Sequence, residues 1–204
     1  MRYGLTVASL NAVNAGNILK KAVESFNAGH LADARKRKNP EFKLVEHVKG
    51  KLSKNPNIGK VLKNFKNVYK KYGKITFLYQ PEIDLLFRYD GFLHGVEFKL
   101  LGNSSVFYNG VEEALAQSTY GIDFSWIVQF YRMGYENSSN YRKWMQYTIE
   151  RSKCPSVGYI AATTKSCKIH ICPTKPFSRS QADRELKEAV SATRKDLIRK
   201  IGNR

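Results

Sequence analysis

Residues 83–99 read Ile83-Asp84-Leu85-Leu86-Phe87-Arg88-Tyr89-Asp90-Gly91-Phe92-Leu93-His94-Gly95-Val96-Glu97-Phe98-Lys99. Two runs rich in β-branched and aromatic residues flank Asp90-Gly91, a dipeptide that accepts the positive φ angles of a two-residue hairpin turn. The stretch reads as two antiparallel strands, Glu82 to Tyr89 and Phe92 to Leu101. With the turn centred on Asp90-Gly91, Asp84 falls nearly opposite Glu97. A one-residue slip or bulge would break that match. Successive strand residues alternate faces, so Glu97 and Lys99 project together while Phe98 points into the core. Two carboxylates and a lysine on adjacent strands have the makings of a one-metal hydrolytic site. Carboxylate oxygens hold a hard cation, and the ammonium stands where a water would be activated.

Working outward, residues from Ala15 to Ala34 are expected to form a helix, with Ile18, Leu19, Ala22, Val23 and Phe26 at helical spacing. Arg35-Lys36-Arg37-Lys38 makes a basic turn, and Pro40 suits the first turn of a second helix carrying Leu44, Val45, Val48 and Leu52. Ile58, Val61, Leu62, Phe65, Val68, Tyr69 and Tyr72 follow the i, i+3, i+4, i+7 rule and predict a third helix. A strand from Ile75 to Tyr79 precedes the hairpin. Downstream, the pattern predicts a helix over Val111 to Tyr120, a strand over Phe124 to Tyr131 and a helix over Tyr141 to Arg151. Strands over Val157 to Thr163 and Cys167 to Ile171 follow. A last amphipathic helix runs from about Gln181 to Ile201, with Leu186, Val190, Leu197 and Ile201 on one face.

Charge is distributed unevenly. The 204 residues carry a formal net charge of +18, which calls for an anionic partner, and nucleic acid is the commonest one. From Arg35 to Lys74 there are 14 Lys or Arg against Glu41 and Glu46 alone. From Ile75 to Phe130 the sign inverts. Arg88 and Lys99 stand against Glu82, Asp84, Asp90, Glu97, Glu112, Glu113 and Asp123. A phosphate-seeking surface beside an acidic centre suits metal-assisted chemistry on a polyanion. A solvated lysine face beside a neutral sheet is the bland alternative.

Asp-(x)n-Glu-x-Lys across a hairpin resembles the signature of the PD-(D/E)XK nuclease superfamily, over roughly Leu52 to Thr163. The resemblance implies an α/β fold of the restriction-endonuclease-like type. Its αβββαβ core around a central mixed sheet would carry extra N-terminal helices and a C-terminal helix. It implies one domain over 1–204, divided into a helical N-terminal addition (1–56), the core (57–175) and a C-terminal amphipathic helix (176–204). By resemblance, Asp84 and Glu97 are metal ligands for Mg²⁺ (or Mn²⁺). Lys99 orients or deprotonates the attacking water and stabilises charge on the phosphate. Many relatives carry a Gln on the following helix, which nominates Gln117. Its spacing to Tyr120 is one residue short of the Gln-x-x-x-Tyr pair found in some of them. Relatives also often place a Glu on the first core helix. Glu41 fits because it shares a face with Val45, Val48 and Leu52, with Glu46 and Glu24 as competitors. Glu82 stands where the motif has Asp, and is either a supplementary acid or a polar residue at the strand entrance.

The implied activity is divalent-metal-dependent endonucleolytic hydrolysis of DNA, duplex or branched. In size and basicity the chain is closest in character to archaeal Holliday-junction resolvases and small viral or phage nucleases. The other reading is a non-catalytic basic DNA-binding protein on the same scaffold. Under either reading Arg35, Lys36, Arg37, Lys38, Lys60, Lys63, Lys66, Lys70, Lys71, Arg142 and Lys143 are the expected phosphate contacts. The aromatics from Tyr131 to Tyr147 are interleaved with Arg132, Arg142 and Lys143. They suit stacking on unpaired bases, or core packing with a solvated rim. Resolvases of this kind are homodimers, and the apolar stripe of the last helix suits either self-association or packing on its own domain.

Cys154, Cys167 and Cys172 are an odd number and imply no disulfide framework. Strand alternation sets Cys167 on the face opposite His170 and Cys172, against a zinc site. Ser9, Asn11 and Asn14 interrupt Leu5 to Ala15, so it makes no signal-peptide core, and no stretch approaches a membrane span. The expected location is the cytoplasm or nucleoid, or the host cytoplasm for a viral protein.

Overall fold

The computed structural model describes residues 6–35, 39–65, 71–72, 75–76, 82–102, 110–117, 121–132, 138–177 and 184–202. In chain order the elements are α1 (Val7–Glu24), α2 (Ala28–Arg35), α3 (Pro40–Leu52), β1 (Leu62–Phe65), β2 (Lys71–Tyr72), β3 (Ile75–Thr76), β4 (Ile83–Tyr89) and β5 (Phe92–Leu101). There follow α4 (Val111–Ala116), β6 (Phe124–Tyr131), α5 (Ser139–Arg151), β7 (Val157–Ala162), β8 (Cys167–Ile171) and α6 (Arg184–Ile201).

Asp90 and Gly91 both take positive φ, 44° and 85°, which is the backbone a tight β4–β5 hairpin requires. The register runs from Tyr89↔Phe92 to Leu85↔Val96, without a bulge, so Asp84 and Glu97 are the next residues to face each other. Around this hairpin a six-stranded sheet forms in the order β1-β4-β5-β6-β7-β8. β1, β4 and β5 are antiparallel, β5, β6 and β7 are parallel, and β8 returns antiparallel. The protein is a mixed α/β fold with a six-stranded mixed central sheet and helices at both ends. With the separate β2–β3 ribbon set aside, α3, β1, β4, β5, α4 and β6 follow the expected αβββαβ order.

Among the described residues of the third helix predicted over Ile58 to Tyr72, which are 58–65 and 71–72, no helix forms. Leu62–Phe65 is a strand on the outer edge of β4, with Leu62↔Leu86 and Phe65↔Ile83. Lys71–Tyr72 and Ile75–Thr76 pair as a separate two-stranded ribbon. The segment is rich in Val, Phe, Tyr and Asn, which are weak helix formers, and β4 presents an unsatisfied edge of N–H and C=O groups. Long-range pairing satisfies that edge and overrides the local period. β1 thereby replaces the predicted Ile75–Tyr79 strand as the first of the meander, and residues 77–80 lie outside the described set.

The first predicted helix starts earlier and breaks in two. Thr6 caps α1, its side chain accepting from the Ser9 N–H, and Asn27 Oδ1 accepts from the His30 N–H at the start of α2. α1, α2 and α3 cover one sheet face, packing on Leu85, Phe87, Val96, Phe98, Trp126, Val128 and Phe130. α4 and α5 lie on the other, over Ile127, Tyr131, Tyr159 and Ala161. α6 buries Leu197 and Ile201 against Phe65, Ile83, Leu86 and Leu93. Leu197 and Ile201 of the apolar stripe are thus used within their own chain, and Arg194 fastens the helix to Asp123 at 2.8 Å. Among the described residues, no helix is long and apolar enough to cross a membrane.

Candidate functional site

The ladder between β4 and β5 ends at Leu85↔Val96, so the β5 N–H groups beyond it need other acceptors. Two carboxylates supply them. Asp84 Oδ2 accepts from the Phe98 N–H at 2.7 Å, and Glu41 Oε2, arriving from the first turn of α3, accepts from the Leu100 N–H at 2.9 Å. Those bonds hold both acids beside Glu97, which is 3% exposed. Lys99 Nζ donates to Glu97 Oε1 at 2.7 Å and lies 3.5 Å from Glu113 Oε1 on α4. The site therefore gathers Glu41, Asp84, Glu97, Lys99 and Glu113 from α3, β4, β5 and α4.

The electrostatics follow from burial. Desolvation, then the neighbouring Asp84 charge, push the Glu97 carboxyl up to about 8, against the pull of Lys99. Asp84 is pushed up to about 6 by burial and by the charges of Glu41 and Glu82, with the Phe98 N–H and Lys99 pulling the other way. Burial opposes the Lys99 charge, but Glu97, Glu113 and Glu41 outweigh it, and its pKa is raised. Lys99 is a fixed cation.

Glu97 Oε2 is buried with no hydrogen-bond partner. A carboxylate oxygen left bare beside a second raised carboxyl is what a hard divalent cation neutralises, and all-oxygen donors suit Mg²⁺ or Mn²⁺. Asp84 and Glu97 would hold the ion. Among the described residues, no three His, Cys, Asp or Glu side chains converge as a ready-made cage. That is compatible with Mg²⁺, which keeps several waters and takes only one or two carboxylates.

Gln117 ends α4 and is fully buried on the Glu97 side of the sheet. Its Oε1 accepts from Ser125 Oγ at 2.9 Å, and it lies so close to Gly95 that a Cβ there would fall 2.2 Å from Oε1. Gln117 thus touches β5 two residues before Glu97. Glu82 is half-buried at the entrance to β4 and adds to the charge that Asp84 feels. Glu46 is turned away from the site and pairs with Lys63 on β1. Glu24 pairs with Lys20 on α1. Tyr120 lies outside the described residues.

The basic residues are less gathered than expected. Lys63 is tied to Glu46 and lies over the Phe42 ring at 4.6 Å, so it is no member of a lysine-lined helix face. Lys60 borders a cavity with Lys49 and Val61. Arg142 donates to Ser138 Oγ at 3.0 Å, and Lys143 is exposed on α5. Lys36, Arg37, Lys38, Lys66 and Lys70 lie outside the described residues, as do the side chains of Arg35 and Lys71. Cys154, Cys167 and Cys172 are free thiols. Glu113 was missed as a site residue. Its signal was its place in the acidic first turn of α4, just after the loop that follows the Glu-x-Lys strand.

No known protein-family model matches the chain, and no curated protein does. Among solved structures, SfsA of Pyrococcus furiosus in complex with Ca²⁺ is similar at a TM-score of 0.30 and 11% identity. The match covers 68% of this chain and 62% of that one. So distant a likeness bears on neither the fold nor the chemistry, which rest on the geometry above.

Proposed function

We propose that this chain is a divalent-metal-dependent DNA endonuclease of the PD-(D/E)XK type, hydrolysing phosphodiester bonds. The observation that carries the reading is the pair of half-buried Asp84 and buried Glu97, both carboxyls raised, one Glu97 oxygen bare, with Lys99 charged against them. A bound divalent ion would supply Lewis-acid charge beside the scissile phosphate. The chain's own residues do the rest. Asp84 and Glu97 give up their protons and present oxygens on one side of the β4–β5 end. Lys99, held cationic, is suited to orient the attacking water and to neutralise charge growing on the phosphate, and unsuited to act as a base. Glu113 and Glu97 fix the position of its Nζ. Glu41 braces the strand end by its bond to Leu100.

One observation favours a second reading, that of a non-catalytic DNA-binding protein: Lys99 Nζ already lies 2.7 Å from Glu97 Oε1, so one oxygen of that carboxyl has its partner within the chain. The two are separated by cleavage of linear duplex, single-strand, flap and four-way-junction DNA with Mg²⁺, Mn²⁺ or chelator, beside Asp84→Asn and Lys99→Ala. Metal-dependent cutting lost in both variants is the expected result, and the preferred substrate decides between duplex and branched DNA. Binding without cutting on every substrate would favour the second reading, or a nuclease awaiting a missing partner.

A further inference from the structure

α5 buries Met145 and Ile149 and turns its opposite side to solvent. On that side Trp144 is 56% exposed and Tyr147 52%, an unusual placement for two large aromatic rings. They meet edge to face with centroids 5.9 Å apart, and the Arg151 guanidinium lies 5.8 Å from the Tyr147 centroid. Trp144, Tyr147 and Arg151 follow one another at i, i+3 and i+7, so they form one stripe along the helix. Lys143 and Glu150 adjoin it, whereas Arg142 falls on the Met145 and Ile149 side of the helix. Glu150 is the lone acid of α5 against Arg142, Lys143 and Arg151. The stripe is therefore both aromatic and cationic, in a chain of net charge +18.

Its position relates it to the carboxylate site. Lys99 of β5 is the register partner of Gln129 on β6. Gln129 Nε2 in turn approaches Met145 Sδ at 3.7 Å, on the inner side of α5. α5 thus lies on the same sheet face as Lys99, one strand further on.

We infer that the outer stripe of α5 is a stacking platform for unpaired bases of a nucleic acid. Trp144 and Tyr147 take base faces, while Lys143 and Arg151 take the adjoining phosphates. Resting on the nuclease reading, this names the substrate class of that site as DNA with a single-stranded segment. Every base has a π-face, so the platform discriminates unpaired from paired bases and not one sequence from another.

Trp126 is fully buried, which makes Trp144 a built-in reporter. The full chain is titrated in chelator against dye-labelled oligo-dT and a dye-labelled blunt duplex, affinities being read from the anisotropy of the dye in every variant and tryptophan emission being followed in the proteins that keep Trp144. Oligo-dT is expected to quench the emission. Trp144→Ala and Tyr147→Ala should each weaken oligo-dT binding by about 5- to 150-fold, the range for one stacked base. Blunt-duplex binding should stay within about twofold. Both residues are exposed, so melting temperatures should hold and a lost affinity is not a folding defect. Unchanged oligo-dT affinity in both variants overturns the platform. So does an emission that answers to protein concentration and not to oligonucleotide, which would make the stripe a contact between two copies. Parallel cleavage assays with Mg²⁺ and Asp84→Asn keep the two ideas apart. Cutting retained with oligo-dT affinity unmoved defeats the platform alone. No cutting, with oligo-dT affinity lost in Trp144→Ala, defeats the nuclease reading alone.

Discussion

Glu97→Gln should stabilise the metal-free protein, and the gain should grow with pH. The Glu97 carboxyl is displaced from an ordinary 4.5 up to about 8, burial being the main cause. Between those two values the folded chain holds a proton that the unfolded chain has released, so stability falls as pH rises through the window. Below pH 4.5 both states are protonated and the effect vanishes. Each pKa unit of displacement is worth about 1.4 kcal/mol, so the metal-free protein should lose about 3 kcal/mol at this position by pH 7 and about 5 by pH 9. Glutamine keeps the shape and cannot ionise. At pH 9 the variant should melt about 10–20 °C above the parent, at pH 7 about 6–12 °C above it, and below pH 4.5 close to it. Thermal melts in chelator across pH 4 to 9 measure this directly. A divalent ion at a hundredfold excess over Kd should nearly close the gap at pH 7 and about halve it at pH 9, because the parent gains about 2.7 kcal/mol and the amide gains little. A variant no more stable than the parent at pH 9, or a difference that does not change with pH, would refute the claim that Glu97 is a strained, proton-holding carboxyl awaiting a cation.

The same carboxyls should couple metal binding to protons. Asp84 at about 6 and Glu97 at about 8 must both be released, so affinity for Mn²⁺ should rise with pH and level off above about 8, with proton release visible when calorimetry is repeated in different buffers. Lys99→Met should cost about 10²–10³-fold in kcat while Mn²⁺ affinity is kept or raised, since one preorganised cation is lost and none of the oxygen ligands is. Gly95→Ala should lower stability by about 1–3 kcal/mol in chemical denaturation, because its Cβ would fall 2.2 Å from Gln117 Oε1 in a packed layer.

The hairpin and its pair of acids are legible in the chain alone. Asp90-Gly91 dictates a tight turn, strand alternation does the rest, and the Asp84 and Glu97 pairing follows from counting back from the turn. Such information is local, and so are the strand at Phe124–Tyr131 and the helix at Pro40–Leu52. What failed is equally instructive. Ile58 to Tyr72 has an almost faultless helical period, yet Leu62–Phe65 is a strand, because the open edge of β4 offers backbone partners that no local pattern can register. The break between α1 and α2 turned on Asn27 capping the next helix, a choice that the apolar spacing does not display.

The site divides in the same way. Residue types and alternation identified Asp84, Glu97 and Lys99. That Glu41 crosses from α3 to the Leu100 N–H, and that Glu113 stands by Lys99, depends on how far apart in sequence the chain brings its elements together. Only the packed structure decides that Glu97 is dry, with one bare oxygen, and that Lys99 is held charged. Hydrogen-bonding pattern and turn chemistry act over a few residues and are written in the sequence. Burial, and the desolvation that raises a carboxyl, are properties of the closed fold.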